Sequence, residues 1–186
     1  MKNIDIRIDD AGREMLKGLI GKQIVRIEHD EFAFTNTSSQ VVRIVASNQD
    51  VYIYNFAEPM DYYGSEEDVA VMTVEGTKYP IVDSKSFIAS PVYQVVKQVF
   101  LVQENQQVFE DSVQTYDVWV TRGIIFDFGE YQIAFEKASW VSEDIAIWRG
   151  YDLVEKFASV ENFTKSDFWD SGINAECIRS IEEVTE

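Results

Sequence analysis

The sequence predicts a β-rich α+β protein: a strand-rich unit duplicated to form antiparallel sheets, with short helices near the N- and C-termini. Three observations predict it. Short, near-alternating apolar runs bounded by turn residues dominate the middle of the chain, which is the pattern of half-buried strands. Later runs echo earlier ones in the same order: Gln23–Arg26 resembles Gln94–Lys97, Ile53–Glu58 resembles Ile125–Glu130, and Glu67–Val71 resembles Glu143–Ile147. Self-similarity at a nearly fixed period is the mark of a repeated unit. Finally, two segments carry helical rather than strand periodicity.

The first of these segments is Asp10–Ile20. It opens on an acid, places Ala11, Met15, Leu16, Leu19 and Ile20 on one side, and is followed by Gly21, a start-and-stop pattern for a helix. Gly12 and Gly18 weaken it by about 1 kcal/mol each. Strands are then expected at Gln23–Glu28, Val41–Ala46, Val51–Phe56 and Val69–Val74. The stretch 75–91 holds Gly76, Pro80 and Pro91 among Ser, Asp and Lys, so a hinge is expected there. Further strands follow at Val92–Val102, Tyr116–Val120, Ile124–Phe128, Tyr131–Phe135 and Ile145–Trp148. A second helix is expected at Asp152–Val160, with Leu153, Val154, Phe157 and Val160 on one side. Residues 161–175 read as an irregular acidic-aromatic stretch and Cys177–Val184 as a closing strand. The division expected is a first unit at 1–78, a possible hinge at 79–91 and a second unit at 92–186, with one continuous domain as the alternative.

Charge is the most distinctive property of the chain. Its 186 residues carry 33 Asp and Glu against 16 Lys and Arg, net −17, yet 46% are hydrophobic. A disordered acidic segment has few large apolar residues, so here the charge sits on a folded body. Solubility of a small domain asks for a net charge of only about 2–8. Nucleic acid and anionic membrane would repel such a protein, and a basic protein is its natural complement. The one cysteine forbids an internal disulfide, and neither a secretory leader nor a membrane-length apolar run is visible. A soluble, cytoplasmic protein is therefore expected.

No catalytic signature emerges. His29, the single histidine, lies in the acidic run Glu28–Glu31 and reads as part of a charged turn rather than as an acid–base group. One His and one Cys cannot furnish the usual nitrogen and sulfur ligands of a transition metal, so no metal or cofactor is expected. Cys177 lies between Glu176 and Arg179, a poor setting for a nucleophile. Gly18–Lys22 lacks the spacing of a phosphate-binding loop, and no Gly-x-Ser-x-Gly elbow occurs. Ser65–Asp68 and Ser142–Asp144 each precede a strand at matching places in the repeat. Oxygen ligands of that kind suit Ca²⁺ or Mg²⁺ and paired acids suit glycoside hydrolysis, but turn formation and partner contact account for them more simply.

The placement of the acids points further. Between Arg43 and Lys78 no base occurs, whereas Asp50, Glu58, Asp61, Glu66, Glu67, Asp68 and Glu75 do, together with Tyr52, Tyr54, Phe56, Tyr62 and Tyr63. Acids two residues apart on a strand stand roughly 6.6 Å apart, against a phosphate step of about 3.4 Å per nucleic-acid strand. Tyr52, Tyr54 and Phe56 share one strand face and are expected to pack. The residues expected to contact a partner are Glu58, Asp61, Tyr62, Tyr63, Glu66, Glu67, Asp68, Glu143 and Asp144. The function expected is a non-enzymatic acidic binder that occupies the basic surface of a nucleic-acid-binding enzyme, in the manner of a phage-type, anti-CRISPR-like DNA mimic. An immunity protein that neutralises a basic toxin, or an assembly subunit, are the alternatives.

Overall fold

The computed structural model describes residues 1–30, 37–62, 65–137, 141–167 and 169–185, with backbone alone at 62, 65 and 66. Strand β1 (Lys2–Ile6) leads into helix α1 (Asp10–Lys17), and the chain continues as β2 (Gln23–Asp30), β3 (Thr37–Ser39), β4 (Val41–Ala46), β5 (Asp50–Tyr62) and β6 (Ser65–Glu75). After the short helix α2 (Pro80–Ser84) come β7 (Phe87–Val95), β8 (Gln98–Glu110), β9 (Val113–Asp127), β10 (Gln132–Lys137) and β11 (Asp144–Gly150). A 3-10 turn (Leu153–Lys156), the one-turn helix α3 (Glu161–Thr164) and β12 (Ile173–Glu183) complete it. The chain is thus strand-rich, with antiparallel sheets and a few short helices.

Two sheets face one another. In the first, β2, β4, β5 and β6 form an antiparallel meander and β7 returns to the free side of β2, giving the order β6-β5-β4-β2-β7. In the second, β8, β9, β10 and β11 form the same meander and β12 returns to the free side of β8. The duplication therefore lies in strand order. Only one of the three sequence echoes falls on equivalent strands, the one joining the starts of β6 and β11. Ile53–Glu58 lies on the third strand of its meander, whereas Ile125–Glu130 closes the second strand of the other. Gln23 and Ile24 pair directly with Val95 and Gln94 in one sheet. Those two echoes reflect the few residue types that suit a pleated, half-buried surface.

Two further strands join the second sheet: β1 pairs parallel with β9, and β3 pairs antiparallel with β11. The chain changes sheet at Gln40, whose φ of 68° turns β3 away from β4. Its N–H donates to Glu143 O and its carbonyl accepts from Asn55 N, both at 2.9 Å.

Alternation builds the core. Ile24, Ile27, Val42, Ile44, Val51, Ile53, Met72 and Val74 from the first sheet meet Val99, Leu101, Ile124, Phe126, Ile133, Phe135, Ile145 and Ile147 from the second, joined by Leu16 and Leu19 from α1 and its C-terminal turn. Each such side chain contributes about 1.5–3 kcal/mol by burial. Both halves share this one core. Residues 79–91, where a hinge was expected, carry α2 and the first part of β7.

Local differences from the sequence reading have identifiable causes. The run Val92–Val102 divides between β7 and β8 at Val96–Lys97, where Val96 N donates to Lys22 O and Lys97 N to Asp127 O. Tyr116–Val120 and all but the last residue of Ile124–Phe128 belong to one strand, β9, with a bulge at Arg122 that separates the two apolar runs. His29 sits within β2 rather than in a turn. Asp152–Val160 is not a continuous helix: a single 3-10 turn at Leu153–Lys156 ends where Phe157 turns extended (ψ 146°), and Leu153 and Phe157 insert against Val102, Ile125 and Ala134.

Candidate functional site

The acids singled out in the sequence converge on the β5–β6 hairpin. β4 stops pairing with β5 at Tyr54, but β5 and β6 remain paired from Asn55↔Met72 to Tyr62↔Ser65. The hairpin therefore runs on as two strands beyond its sheet. An isolated hairpin is at best marginal in water, and this one is held by apolar contacts: Met60, Val69 and Val71 pack with Ile4, Ile6 and Val120 of β1 and β9. A salt bridge of 2.6 Å from Lys2 Nζ to Asp61 adds a second tie.

Along this extension Glu58, Asp61 and Asp68 are exposed and Glu67 is half-buried. Asp68 stands opposite Pro59, Glu67 opposite Met60, and the backbone of Glu66 opposite Asp61. Tyr62 and Glu66 thus occupy the last rungs of the ladder, while Tyr63 lies outside the described residues.

Glu143 and Asp144 lie on the neighbouring sheet. Glu143 Oε1 accepts from Ala57 N at 3.0 Å and Oε2 from Gln40 Nε2 at 2.8 Å, so its carboxylate joins the sheets at the base of the hairpin. Asn55, fully buried, donates through Nδ2 to Ser142 O (3.0 Å) and Asp144 O (3.2 Å) at the same junction. Asp144 itself begins β11 opposite Ser39. The two acids are therefore adjacent to the hairpin, but Glu143 is engaged in holding it.

The aromatic stripe is inside. Tyr52, Tyr54 and Phe56 stack in sequence, with ring centroids 5.8 and 5.2 Å apart, beneath Ile81 and Val82 of α2. The Tyr54 hydroxyl donates to Thr77 O (2.9 Å) and accepts from Tyr79 N (3.0 Å), and burial pushes its pKa up.

Sequence reasoning missed a buried ionic cluster on the outer face of the second sheet. Glu136 Oε1 accepts from Arg122 Nη2 (3.0 Å) and Ala158 N (2.8 Å), and its Oε2 from Trp148 Nε1 (2.9 Å). Arg179 Nη2 reaches both Glu104 Oε1 (2.5 Å) and Ala158 O (2.6 Å). Gln106 Nε2 donates to Glu104 Oε2 at 3.0 Å. Both peptide groups of Ala158 are thereby clamped by opposite charges. Lys137, alternating with Ile133 and Phe135 on β10, is only 2% exposed. Desolvation, reinforced by the Arg122 charge, lowers its pKa to about 7. The one sequence signal was the density of polar residues in Gln103–Gln107, on a strand otherwise apolar.

Cys177 is half-buried, and burial, followed by the Glu104 charge, pushes its thiol up to about 12. It stays protonated at neutral pH, the wrong state for nucleophilic attack. Among the described residues no group of three His, Cys, Asp or Glu side chains is placed to hold a metal ion, and no helix is long and apolar enough to cross a membrane. No protein-family model, curated protein or solved structure matches this chain.

Proposed function

We propose that this protein is a non-enzymatic acidic binder whose β5–β6 hairpin occupies a basic, nucleic-acid-binding surface of another protein. One observation carries the reading. Of the seven acids in the stretch without a base, five (Glu58, Asp61, Glu66, Glu67 and Asp68) lie where β5 and β6 run beyond their sheet, with Glu58, Asp61 and Asp68 exposed. Acids crowded on a two-stranded extension repel one another and cost stability, and the Lys2–Asp61 bridge offsets only part of that charge. A surface of Arg and Lys built for phosphates supplies the missing counter-charge. The hairpin is pre-ordered by Met60, Val69 and Val71, so little ordering entropy opposes docking. A phage-type inhibitor of a host nuclease is the class of protein that fits this chemistry.

The experiment is capture from nuclease-treated bacterial lysate on the immobilised protein, followed by elution with rising salt or with duplex DNA. The reading expects a nucleic-acid-binding protein that both agents release, since its partner would see hairpin and duplex as competitors. Retention unchanged between about 50 and about 500 mM salt, where screening shortens from roughly 14 to 4 Å, would contradict it. Release of a small basic toxin indifferent to duplex DNA would favour an immunity protein instead.

A further inference from the structure

The sheet edges are protected unequally. β7, one edge of the first sheet, is interrupted by a register shift against β2 and carries Pro91. β3 is three residues long, and β6 lies against α1. Bulges, prolines, short strands and covering helices are the usual defences against edge-to-edge association. β12 has no bulge, no proline and no shortening, although α3 lies against it and Glu176, Arg179, Glu182 and Glu183 set charges along it. It runs for 11 residues, Ile173–Glu183, in unbroken register with β8 and, among the described residues, pairs with nothing on its other side.

The direction of its hydrogen bonds follows from one contact. Val184 N donates to Val99 O at 2.9 Å, and antiparallel ladders alternate. Even-numbered residues of β12 therefore face β8, while Ala175, Cys177, Arg179, Ile181 and Glu183 turn their backbone N–H and C=O groups to the open edge. Ile178 is 62% and Ile181 54% exposed on this strand, apolar surface on an otherwise heavily charged chain.

We propose that β12 is the interface of a two-fold dimer of this chain, joining two copies of the second sheet edge to edge. The strand is self-complementary. A two-fold axis normal to the sheet at Ile178, its central residue, pairs Ile173 with Glu183 and so uses its whole length. That register sets Ile178 against Ile178, Ala175 against Ile181, Cys177 against Arg179, Glu176 against Ser180 and Asn174 against Glu182. No like charges stand directly opposite. Shifting the axis to Arg179 would oppose Arg179 to itself and Glu176 to Glu182, an arrangement that costs stability. A C2 interface of this isologous kind is the commonest way a chain self-associates. The inference concerns β12 alone and does not rest on the hairpin reading.

Its salt dependence runs opposite to that of a basic partner. Two chains of net −17 repel, so screening strengthens the dimer. Sedimentation equilibrium of the full chain over a concentration series should find a monomer–dimer equilibrium that tightens with salt. Ile178→Lys, which sets two ammonium groups at the axis, should weaken it at least tenfold. Ile178→Cys in a Cys177→Ser background should form a disulfide-linked dimer under mild oxidation, because facing non-hydrogen-bonded residues stand about 4.5 Å apart. Tyr151→Cys in the same background, at an exposed site away from β12, should not. A chain that stays monomeric throughout, a dimer indifferent to Ile178→Lys, or equal cross-linking at the two sites would overturn the proposal.

Discussion

The two meanders have the same strand order and the same need to cover an outer face, and they meet it with different chemistry. The first lays Ile81 and Val82 of α2 over the stacked rings of Tyr52, Tyr54 and Phe56. The second lays Leu153 and Phe157 over Val102, Ile125 and Ala134, then fixes the segment that follows with Glu136, Arg122, Glu104 and Arg179. Apolar cover loses stability in proportion to the area removed. Ionic cover is less forgiving, because deleting one member strands its partner in a medium that cannot solvate it. One topology thus contains a graded lid and a brittle one.

That contrast can be broken by substitution. Glu136→Ala removes the carboxylate that accepts from Arg122, Trp148 Nε1 and Ala158 N, and about 3–5 kcal/mol of stability should disappear, read by denaturant unfolding. A loss under 1 kcal/mol would mean that the clamp is solvated. Lys137→Met tests the core-facing side of the same strand with the opposite sign. A lysine whose pKa falls from 10.5 to about 7 on folding opposes folding below pH 7, and the penalty is relieved as pH rises toward 10.5, because the unfolded chain then binds the extra proton. The native protein should gain stability between pH 7 and 9, at up to about 1.4 kcal/mol per pH unit. Above pH 9 the Cys177 thiol, raised to about 12, works against that gain. Lys137→Met should be more stable than wild type at pH 6 and should lack the rise.

The apolar lid should respond more mildly. Tyr54→Phe keeps the ring stack but removes the acceptor of Tyr79 N and the donor to Thr77 O, costing about 1–2 kcal/mol. Asp9→Ala, outside both lids, removes the side-chain cap of α1, a bond of 2.8 Å to Gly12 N, and should cost about 1 kcal/mol. The sequence of effects matters more than any single value: ionic deletions first, ring hydroxyl second, helix cap last.

How much of this was legible beforehand follows the range of the signal. Period-2 alternation located most strands, because it depends only on which residues face the core. The β-rich α+β class followed directly. Strand order did not, since Gln23–Arg26 and Gln94–Lys97 look alike for reasons of composition and in fact pair with each other. The second helix was overread because Leu153 and Phe157, four apart, suit a helix face and equally a 3-10 turn followed by an extended residue. Of the candidate site, the acidic hairpin could be seen as a window without bases. That Glu143 would be drawn into holding Ala57 N and Gln40 could not, because these contacts join residues about ninety and one hundred positions apart. The ionic cluster was invisible for the same reason: Arg179 and Glu104, or Arg122 and Glu136, carry no mark of burial until the sheet is assembled.

A hairpin that docks on a basic surface requires that the position of the acids matter, and not merely their number. Two triple variants separate these directly. Glu58→Gln, Asp61→Asn and Asp68→Asn remove three charges from the hairpin, while Glu130→Gln, Glu155→Gln and Asp167→Asn remove three from exposed positions elsewhere. Affinity for the captured partner should fall at least tenfold for the hairpin set and less than about twofold for the other, each measured at the same ionic strength. Equal losses from the two sets would contradict the account, leaving net charge as the only determinant of binding.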